Sequence, residues 1–291
     1  MPLTTLTVVA AVPQPSSGWW IASISAVLFV IALPIVLIIL AHARLKVGWR
    51  YAAYGALIFF TFQLVTRVPA VQALQFFLTP QLKASRTLLI AFLVFLALTA
   101  GLFEEVGRYL GYRWFMGREE KTWAKGVMYG LGHGGLESAV LVGGLGAIQL
   151  LNVWLISSTN LGIVPAAQRA TAVAQLTSIA AQPGWLPLLA GWERVCAIAA
   201  HVMFSLIVLQ VFRRGSLGWL WLAIGLHTLL DGVTALLPRF VHLGGIGDTL
   251  LVEGFVTLFA IGALWAILAL RDGPTTSPPV AAEAALREGA A

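Results

Sequence analysis

The sequence carries little charge. Only 10% of its 291 residues are Asp, Glu, Lys or Arg, whereas 59% are hydrophobic, and the mean hydropathy is +0.89. A soluble domain has about 25% charged residues, so this composition excludes that class and predicts an integral membrane protein. The net charge of +6 does not indicate a nucleic-acid partner, because most basic residues lie between apolar segments, where they orient spans in a membrane.

Cysteine is almost absent as well. The chain contains one, Cys196, which excludes an intramolecular disulfide and a cysteine-based metal cluster. The sequence has no H-E-x-x-H motif, so the zinc signature of many metalloproteases is missing, and it has no internal repeat. Because the first 20 residues contain no Lys or Arg, a cleaved signal peptide is not expected.

Long apolar stretches are the main feature that is present. A helix needs about 20 mostly apolar residues to cross a hydrocarbon core, and backbone in lipid must satisfy its own hydrogen bonds. The sequence therefore predicts an all-α polytopic membrane bundle of about seven transmembrane helices. It is expected to form one domain over residues 1–270, followed by a disordered cytoplasmic tail at 271–291. The predicted spans are Trp19–Ala41, Trp49–Val65, Thr87–Trp114, Trp123–Leu151, Trp192–Phe212, Leu217–Leu237 and Leu250–Leu270.

Basic residues between these spans indicate the orientation. Nine lie in the connections after spans 1, 3 and 5, and three lie in the 67–86 connection on the other side: Arg67, Lys83 and Arg86. Because basic loops stay in the cytoplasm, we predict that the N-terminus is outside and the C-terminus inside, in a bacterial cytoplasmic membrane.

Two connections are longer than a turn. Residues 69–82 are expected to form an amphipathic helix at the membrane interface, and residues 152–190 an outer loop that is partly helical. Either segment could gate lateral access to a buried site or simply connect two spans.

Spans 3 to 6 each carry ionisable residues away from their ends. Such groups are costly in a bilayer, usually face the protein interior and mark functional sites. Arg108 follows Glu104 by four residues and Glu105 by three, so on a helix it can pair with either, while the two glutamates point about 100° apart. The later spans carry His133 with Glu137, His201, and His227 with Asp231. Because spans 3 to 6 each present one polar face, we expect these faces to pack against one another.

This set of residues is compatible with several functions. A glutamate and a histidine directed at one water form a general base pair, and a second histidine oriented by an acid can stabilise an oxyanion. Amide hydrolysis would then need no nucleophilic side chain. Alternatively, His133, His201 and His227 with Glu104 could bind Zn²⁺. In a third interpretation, the cluster only locks the helix packing of a noncatalytic scaffold or binding protein.

Four sequence motifs carry a family resemblance. They are EEVGRYLGYRW (104–114), GLGHGGLES (130–138), AAHVMFS (199–205) and GLHTLLD (225–231). In this order, on consecutive helices, they resemble the YhfC family of intramembrane proteases. That family is similar to the wider superfamily of CAAX proteases, bacteriocin-processing enzymes (CPBP) and PrsW-like proteases. The resemblance implies a catalytic core at about 87–237 and a glutamic-type endopeptidase, without an obligatory metal, that cleaves a membrane-associated peptide or protein.

The resemblance also implies roles for individual residues. By analogy with CAAX-type relatives, Glu104 and His133 would activate the hydrolytic water, and His227 with Asp231 would stabilise the oxyanion. His201 matches the third motif.

Two features depart from the CAAX pattern. CAAX enzymes place an arginine four residues after the second glutamate, whereas Arg108 follows Glu105 by three, which leaves open which glutamate is salt-bridged. Glu137 is an additional acid that could share or replace the role of the base. The superfamily has also been called metalloproteases, and it resembles a noncatalytic scaffold subunit of gamma-secretase, so the metal-dependent and noncatalytic alternatives stay open.

Overall fold

The computed structural model describes residues 12–159 and 161–271. These ranges contain helices and turns but no strand, and seven helices are long and apolar enough to cross a membrane. The predicted all-α bundle of about seven spans is therefore confirmed. The orientation of the termini stays a prediction. The first 11 residues and the predicted tail beyond Arg271 lie outside the described residues.

Ten α-helices make up the described part of the chain. They are α1 Ser17–Leu45, α2 Arg50–Phe59, α3 Val68–Ala84, α4 Arg86–Phe115, α5 Trp123–Leu136, α6 Gly144–Ser158, α7 Arg169–Ala180, α8 Leu188–Arg214, α9 Gly218–Phe240 and α10 Ile246–Ala269. Local sequence sets several helix ends. The hydroxyls of Ser16, Ser85 and Thr122 accept hydrogen bonds from the first turns of α1, α4 and α5, as N-caps do. Helix α8 ends at Gly215, whose φ of +68° suits glycine at a helix C-terminus.

The second span is longer than the sequence predicted. Helix α2 continues through a π-helical segment, Phe60–Arg67, directly into α3, so one helix runs from Arg50 to Ala84. Residues 69–82 are helical, as predicted, but they continue this helix without a break and do not form a separate one. The prediction ended the span before Arg67 because a charge was expected in a loop. The structure instead satisfies the Arg67 guanidinium inside the bundle.

The fourth span is interrupted in the same way. Helix α5 passes through a second π-helical segment, Glu137–Gly143, into α6, and the combined helix ends at Ser158. The expected partial helicity of the 152–190 connection is confirmed, because it contains the end of α6, a short 3₁₀ turn at Ala166–Gln168 and the whole of α7.

Helix α8 lies at the centre of the bundle. In its most apolar stretch 78% of the residues are buried, against 11–28% in the other six spans. It packs against α5 and α10 and also contacts α1, α4 and α9. A helix that is apolar on all sides favours such a central position. The polar residues that α8 carries are therefore held in the interior.

Two glycines of α5 let this helix approach its neighbours closely. A side chain at Gly132 would collide with the carbonyl of Ala52 on α2, and a Cβ at Gly130 would lie 2.6 Å from the Cα of Val202 on α8. Small residues at such crossings allow close helix contact in membranes. The contact places His133, which directly follows Gly132 in sequence, deep in the bundle.

The short connection between α4 and α5 is tied to α2. The Tyr51 hydroxyl donates to Glu119 Oε2 at 2.6 Å, and the Arg50 guanidinium lies 3.1 Å from the same oxygen. The Tyr51 hydrogen bond lowers the pKa of the Glu119 carboxyl, and the charges of Arg50 and Lys125 act in the same direction. These contacts fix the end of α4 that follows the polar cluster.

Candidate active site

Six ionisable side chains from four helices meet in the interior. Helix α4 supplies three of them, and α5, α8 and α9 supply one histidine each. The six are Glu104, Glu105, Arg108, His133, His201 and His227, and each is at most 6% exposed. The predicted convergence of the polar faces of spans 3 to 6 is thus found in the structure.

Glu104 is held at both carboxylate oxygens. Its Oε2 lies 3.0 Å from His133 Nε2, and its Oε1 accepts a hydrogen bond from Gln63 Nε2 at 3.0 Å. Arg108 Nη2 lies 3.5 Å from Oε2. Because a carboxylate has about four lone-pair directions, this carboxylate still has room to accept a proton from a further molecule.

Glu105 has different partners. Its Oε1 forms an ion pair with Arg108 Nη1 and lies 2.6 Å from His227 Nδ1. The side chain is fully buried. Glu105 is therefore the more tightly salt-bridged glutamate.

The His227–Asp231 pair differs from the arrangement that the motif implies. His227 directs Nδ1 at Glu105, whereas its Nε2 lies 3.8 Å from Asp231 Oδ2 and 4.0 Å from Glu104 Oε1. These two separations exceed hydrogen-bond distance. The side chain of Asp231 is 39% exposed, so this carboxylate lies at the edge of the site, and the imidazole is oriented mainly by Glu105.

His201 links Arg108 to Glu137. Arg108 Nη2 lies 2.6 Å from His201 Nδ1, and because a guanidinium can only donate, Nδ1 accepts. The proton of the neutral ring is then on Nε2, which donates to Glu137 Oε2 at 2.6 Å. Glu137 Oε1 in turn accepts from Arg194 Nη1 at 2.9 Å.

Glu137 thus faces α8, although the sequence placed it on one face with His133. The π-helical segment begins at Glu137, and its wider turn changes the direction of the side chains that follow. Glu137 contacts His201 and does not contact Glu104.

A cavity of about 160 Å³ opens beside this cluster, which is room for several water molecules. Three of the six clustered residues line its wall: Glu104, His201 and His227. The other three do not, and His133 is fully buried against Glu104. The other polar side chains on the wall are Gln63, Arg67, Glu137, Glu193, Arg194, Asp231 and Thr234.

Reasoning from the sequence missed five of these seven residues: Gln63, Arg67, Glu193, Arg194 and Thr234. Gln63 and Arg67 lie on the second span, for which no polar face was predicted. The sequence analysis placed Arg67 in an outer connection. Arg194 forms an ion pair with Glu193 at 2.6 Å, but it is 8% exposed and also binds Glu137. The rule that a membrane-embedded arginine marks a site would have found Arg67 if the span had been extended past it.

Comparison with known proteins identifies the family. A family model described as "YhfC intramembrane metalloprotease" matches residues 29–256. The chain belongs to the YhfC family. It is 33% identical over 244 residues to the "Uncharacterized membrane protein YhfC" of Bacillus subtilis (strain 168), covering 82% of this chain and 92% of that protein. No solved structure matches. The YhfC resemblance predicted from the four motifs is confirmed, as is an integral membrane location.

The description of YhfC as a metalloprotease raises the question of whether the site fits a metal. Glu104, His133 and His201 each offer a ligand atom, all within 4.8 Å of one another. Tetrahedral Zn²⁺ with ligands at about 2.0–2.2 Å needs ligand atoms roughly 3.3 Å apart, and Glu104 Oε2 lies 3.0 Å from His133 Nε2 and 3.9 Å from His201 Nδ1. The three residues therefore fit Zn²⁺ in donor type, and the two separations from Glu104 lie on either side of the required spacing.

Two contacts bear on this fit. The hydrogen bond from His201 Nε2 to Glu137 is the carboxylate contact typical of a metal-binding histidine. Against this, the Arg108 guanidinium holds His201 Nδ1 and would have to withdraw before that atom could bind an ion. His227, the fourth predicted ligand, lies outside the cluster of three.

Proposed function

We propose that this YhfC protein is an intramembrane endopeptidase that hydrolyses a peptide bond of a membrane-associated peptide or protein, with Glu104 activating the water. The family's description supports proteolysis within the membrane. The observation that carries the assignment of Glu104 is its position. It lines the cavity with its carboxylate held by His133 and Gln63, whereas the adjacent Glu105 is engaged by Arg108 and His227.

In the proposed reaction Glu104 takes a proton from a water molecule in the cavity, and the resulting hydroxide attacks the carbonyl carbon of the scissile bond. The C–N bond then breaks, and the proton passes from Glu104 to the leaving nitrogen. General base catalysis of this kind contributes about 10²–10⁴-fold to a rate. His133 acts through Glu104, because it contacts this carboxylate and does not line the cavity.

The tetrahedral intermediate needs a donor for its oxyanion, and we assign that role to His227. Its Nδ1 donates to Glu105, so Nε2 carries a proton only in the imidazolium form, and this form would supply the donor. Asp231, on the next turn of α9, contributes its charge at 3.8 Å.

A substitution at Glu104 tests the proposal. The wild-type protein is reconstituted in liposomes with a set of fluorogenic peptides that each carry an apolar transmembrane segment. We expect it to cleave at least one of them. Glu104→Gln should lower that rate by about 10²–10⁴-fold while the protein stays folded. Glu253→Gln is the matched control, because Glu253 is also a carboxylate within a span, on α10, and does not line the cavity.

Two results would contradict the proposal. If Glu104→Gln cleaves as fast as the wild type, Glu104 is not the base. If the wild type cleaves none of the peptides, while Glu104→Gln and His227→Ala only lower thermal stability, the noncatalytic scaffold is favoured.

A second candidate is a metal-dependent peptidase of the same site, favoured by the spacing of Glu104, His133 and His201 and by the family's description. These three residues would hold the ion. A bound Zn²⁺ lowers the pKa of its water and polarises a carbonyl.

Metal removal separates the two candidates. In the glutamic mechanism, protein stripped by a strong chelator is expected to retain its cleavage rate, and elemental analysis should find no stoichiometric zinc in active protein. Loss of activity on chelation that Zn²⁺ restores would favour the metal-dependent candidate. Tight Zn²⁺ binding that His133→Ala abolishes would support it independently of any cleavage assay.

A further inference from the structure

The π-helical segment of the second span carries two polar residues that the site uses. Gln63 is 6% exposed, and both Gln63 and Arg67 line the cavity. They are four residues apart on Phe60–Arg67. Single π-helical turns within α-helices occur frequently at functional sites. This segment also adjoins the cluster through Phe59, whose ring lies 5.1 Å from that of His133.

A chain of three side chains runs from Arg67 through Gln63 to Glu104. Arg67 Nη1 donates to Gln63 Oε1 at 3.3 Å, and Gln63 Nε2 donates to Glu104 Oε1 at 3.0 Å. Arg67 is itself fixed at its other nitrogens. Its Nε donates to Thr99 Oγ1 at 3.2 Å and its Nη2 to the carbonyl of Leu96.

Arg67 and Glu104 together determine the orientation of the Gln63 side-chain amide. A guanidinium only donates and an ionised carboxylate only accepts, so Gln63 must direct its oxygen at Arg67 and its nitrogen at Glu104. A rotation by 180° would place oxygen against carboxylate and N–H against guanidinium, and both hydrogen bonds would be lost. Arg67 therefore keeps the Gln63 donor directed at Glu104.

We propose that Gln63, oriented by Arg67, is a positioning residue of the active site. Its hydrogen bond fixes Oε1 of Glu104 and thereby holds the carboxylate in the orientation in which Oε2 contacts His133. The inference rests on the proposed function, because it assigns a role in catalysis through Glu104. It holds for both candidate mechanisms, since a carboxylate that binds a metal also needs its second oxygen oriented.

Substitutions at the two residues test this role. Gln63→Leu removes both hydrogen bonds, and Gln63→Glu keeps the shape and the contact with Arg67 but offers Glu104 an acceptor. Outer contacts of this kind are worth about 10–100-fold in activity, so both variants should lose that much in kcat with little change in KM.

A double-mutant cycle separates positioning from general stability. Arg67→Met should lower kcat in the wild-type background but cause no further loss in Gln63→Leu, because Arg67 acts through Gln63. Thr66→Val is the control, since Thr66 precedes Arg67 on the same π-helical segment, is exposed, and its hydroxyl donates only to the carbonyl of Phe62 on its own helix. This control should leave kcat within about twofold of the wild type. If the losses in kcat caused by Arg67→Met and Gln63→Leu are fully additive in the double variant, the inference is overturned.

Thermal unfolding provides a readout that needs no activity. Gln63→Leu and Glu104→Leu should lower Tm by amounts that do not add in the double variant, because both remove the same hydrogen bond. Additive changes would show that the contact contributes nothing. If the wild type cleaves peptides and Gln63→Leu cleaves them equally fast, the inference about Gln63 fails but the proposed function does not. If the wild type cleaves none, the proposed function fails, and the role of Gln63 in catalysis fails with it.

Discussion

Two adjacent glutamates have different surroundings, because their side chains contact different partners. Helical spacing allows Arg108 to reach both Glu104 and Glu105, and the structure uses both contacts, with Glu105 the closer partner. Glu105 also receives His227, whereas Glu104 faces the cavity. The charge of Glu105 therefore compensates a fully buried guanidinium, which is a structural task.

Glu105→Gln should accordingly be more harmful to stability than Glu104→Gln. Removing one partner of a buried ion pair leaves an uncompensated charge and costs about 3–5 kcal/mol. In this variant Arg108 still has the Glu104 carboxylate 3.5 Å away. We therefore expect the loss of stability to lie toward the lower end of that range. The measurement is the free energy of unfolding of the purified protein in detergent.

Glu253→Gln serves as the control for this comparison. Oε2 of Glu253 is buried without a hydrogen-bond partner among the described residues, so its neutralisation should cost little. Equal losses in Glu104→Gln and Glu105→Gln would show that the two glutamates share Arg108 evenly.

At the scale of elements, the site depends on how closely α5 packs against α2 and α8. The glycines of α5 permit this contact, and His133 reaches Glu104 as a result. The two π-helical segments act in a similar way, because each lies where its span meets the cavity and each supplies polar groups to the wall: Gln63 and Arg67 from the first, Glu137 from the second.

Gly132→Ala is expected to separate α5 from α2. The added methyl group would collide with the Ala52 carbonyl, which is backbone and cannot move away cheaply. Overpacking of this kind costs about 1–3 kcal/mol, and the cleavage rate should fall because His133 is displaced from Glu104. Unfolding and cleavage assays on the same preparation check both effects.

Gly144→Ala on α6 is the matched control, because a Cβ there meets nothing within 4 Å. This substitution should leave the free energy of unfolding unchanged or raise it by up to about 1 kcal/mol, since alanine has a higher helix propensity than glycine. An equally large loss in Gly144→Ala would mean that helix approach is not the cause.

At the scale of the whole molecule, the position of α8 explains why a polar cluster can exist in an apolar chain. Helices α1, α4, α5, α9 and α10 pack around α8, so that His201 is buried, and α4, α5 and α9 contribute the other charged groups of the cluster. Each of these groups then has a partner of opposite charge or a hydrogen-bond donor nearby, which is what a bilayer interior requires. The cavity gives the cluster access to water-sized molecules.

The sequence by itself determined the membrane class, the helical spans and the residues that form the cluster, because hydropathy and helical spacing are local properties of the chain. Six of the eight predicted site residues lie together in the interior, and Glu137 and Asp231 reach the cavity wall. Only the tertiary structure decided which glutamate faces the cavity, that His227 binds Glu105 in preference to Asp231, and that Gln63 and Arg67 belong to the site. The physical reason is that spacing fixes which residues share a helix face, whereas the partner of each atom depends on how helices pack. Gln63 and Glu104 are 41 residues apart in sequence, and Glu105 and His227 are 122 apart.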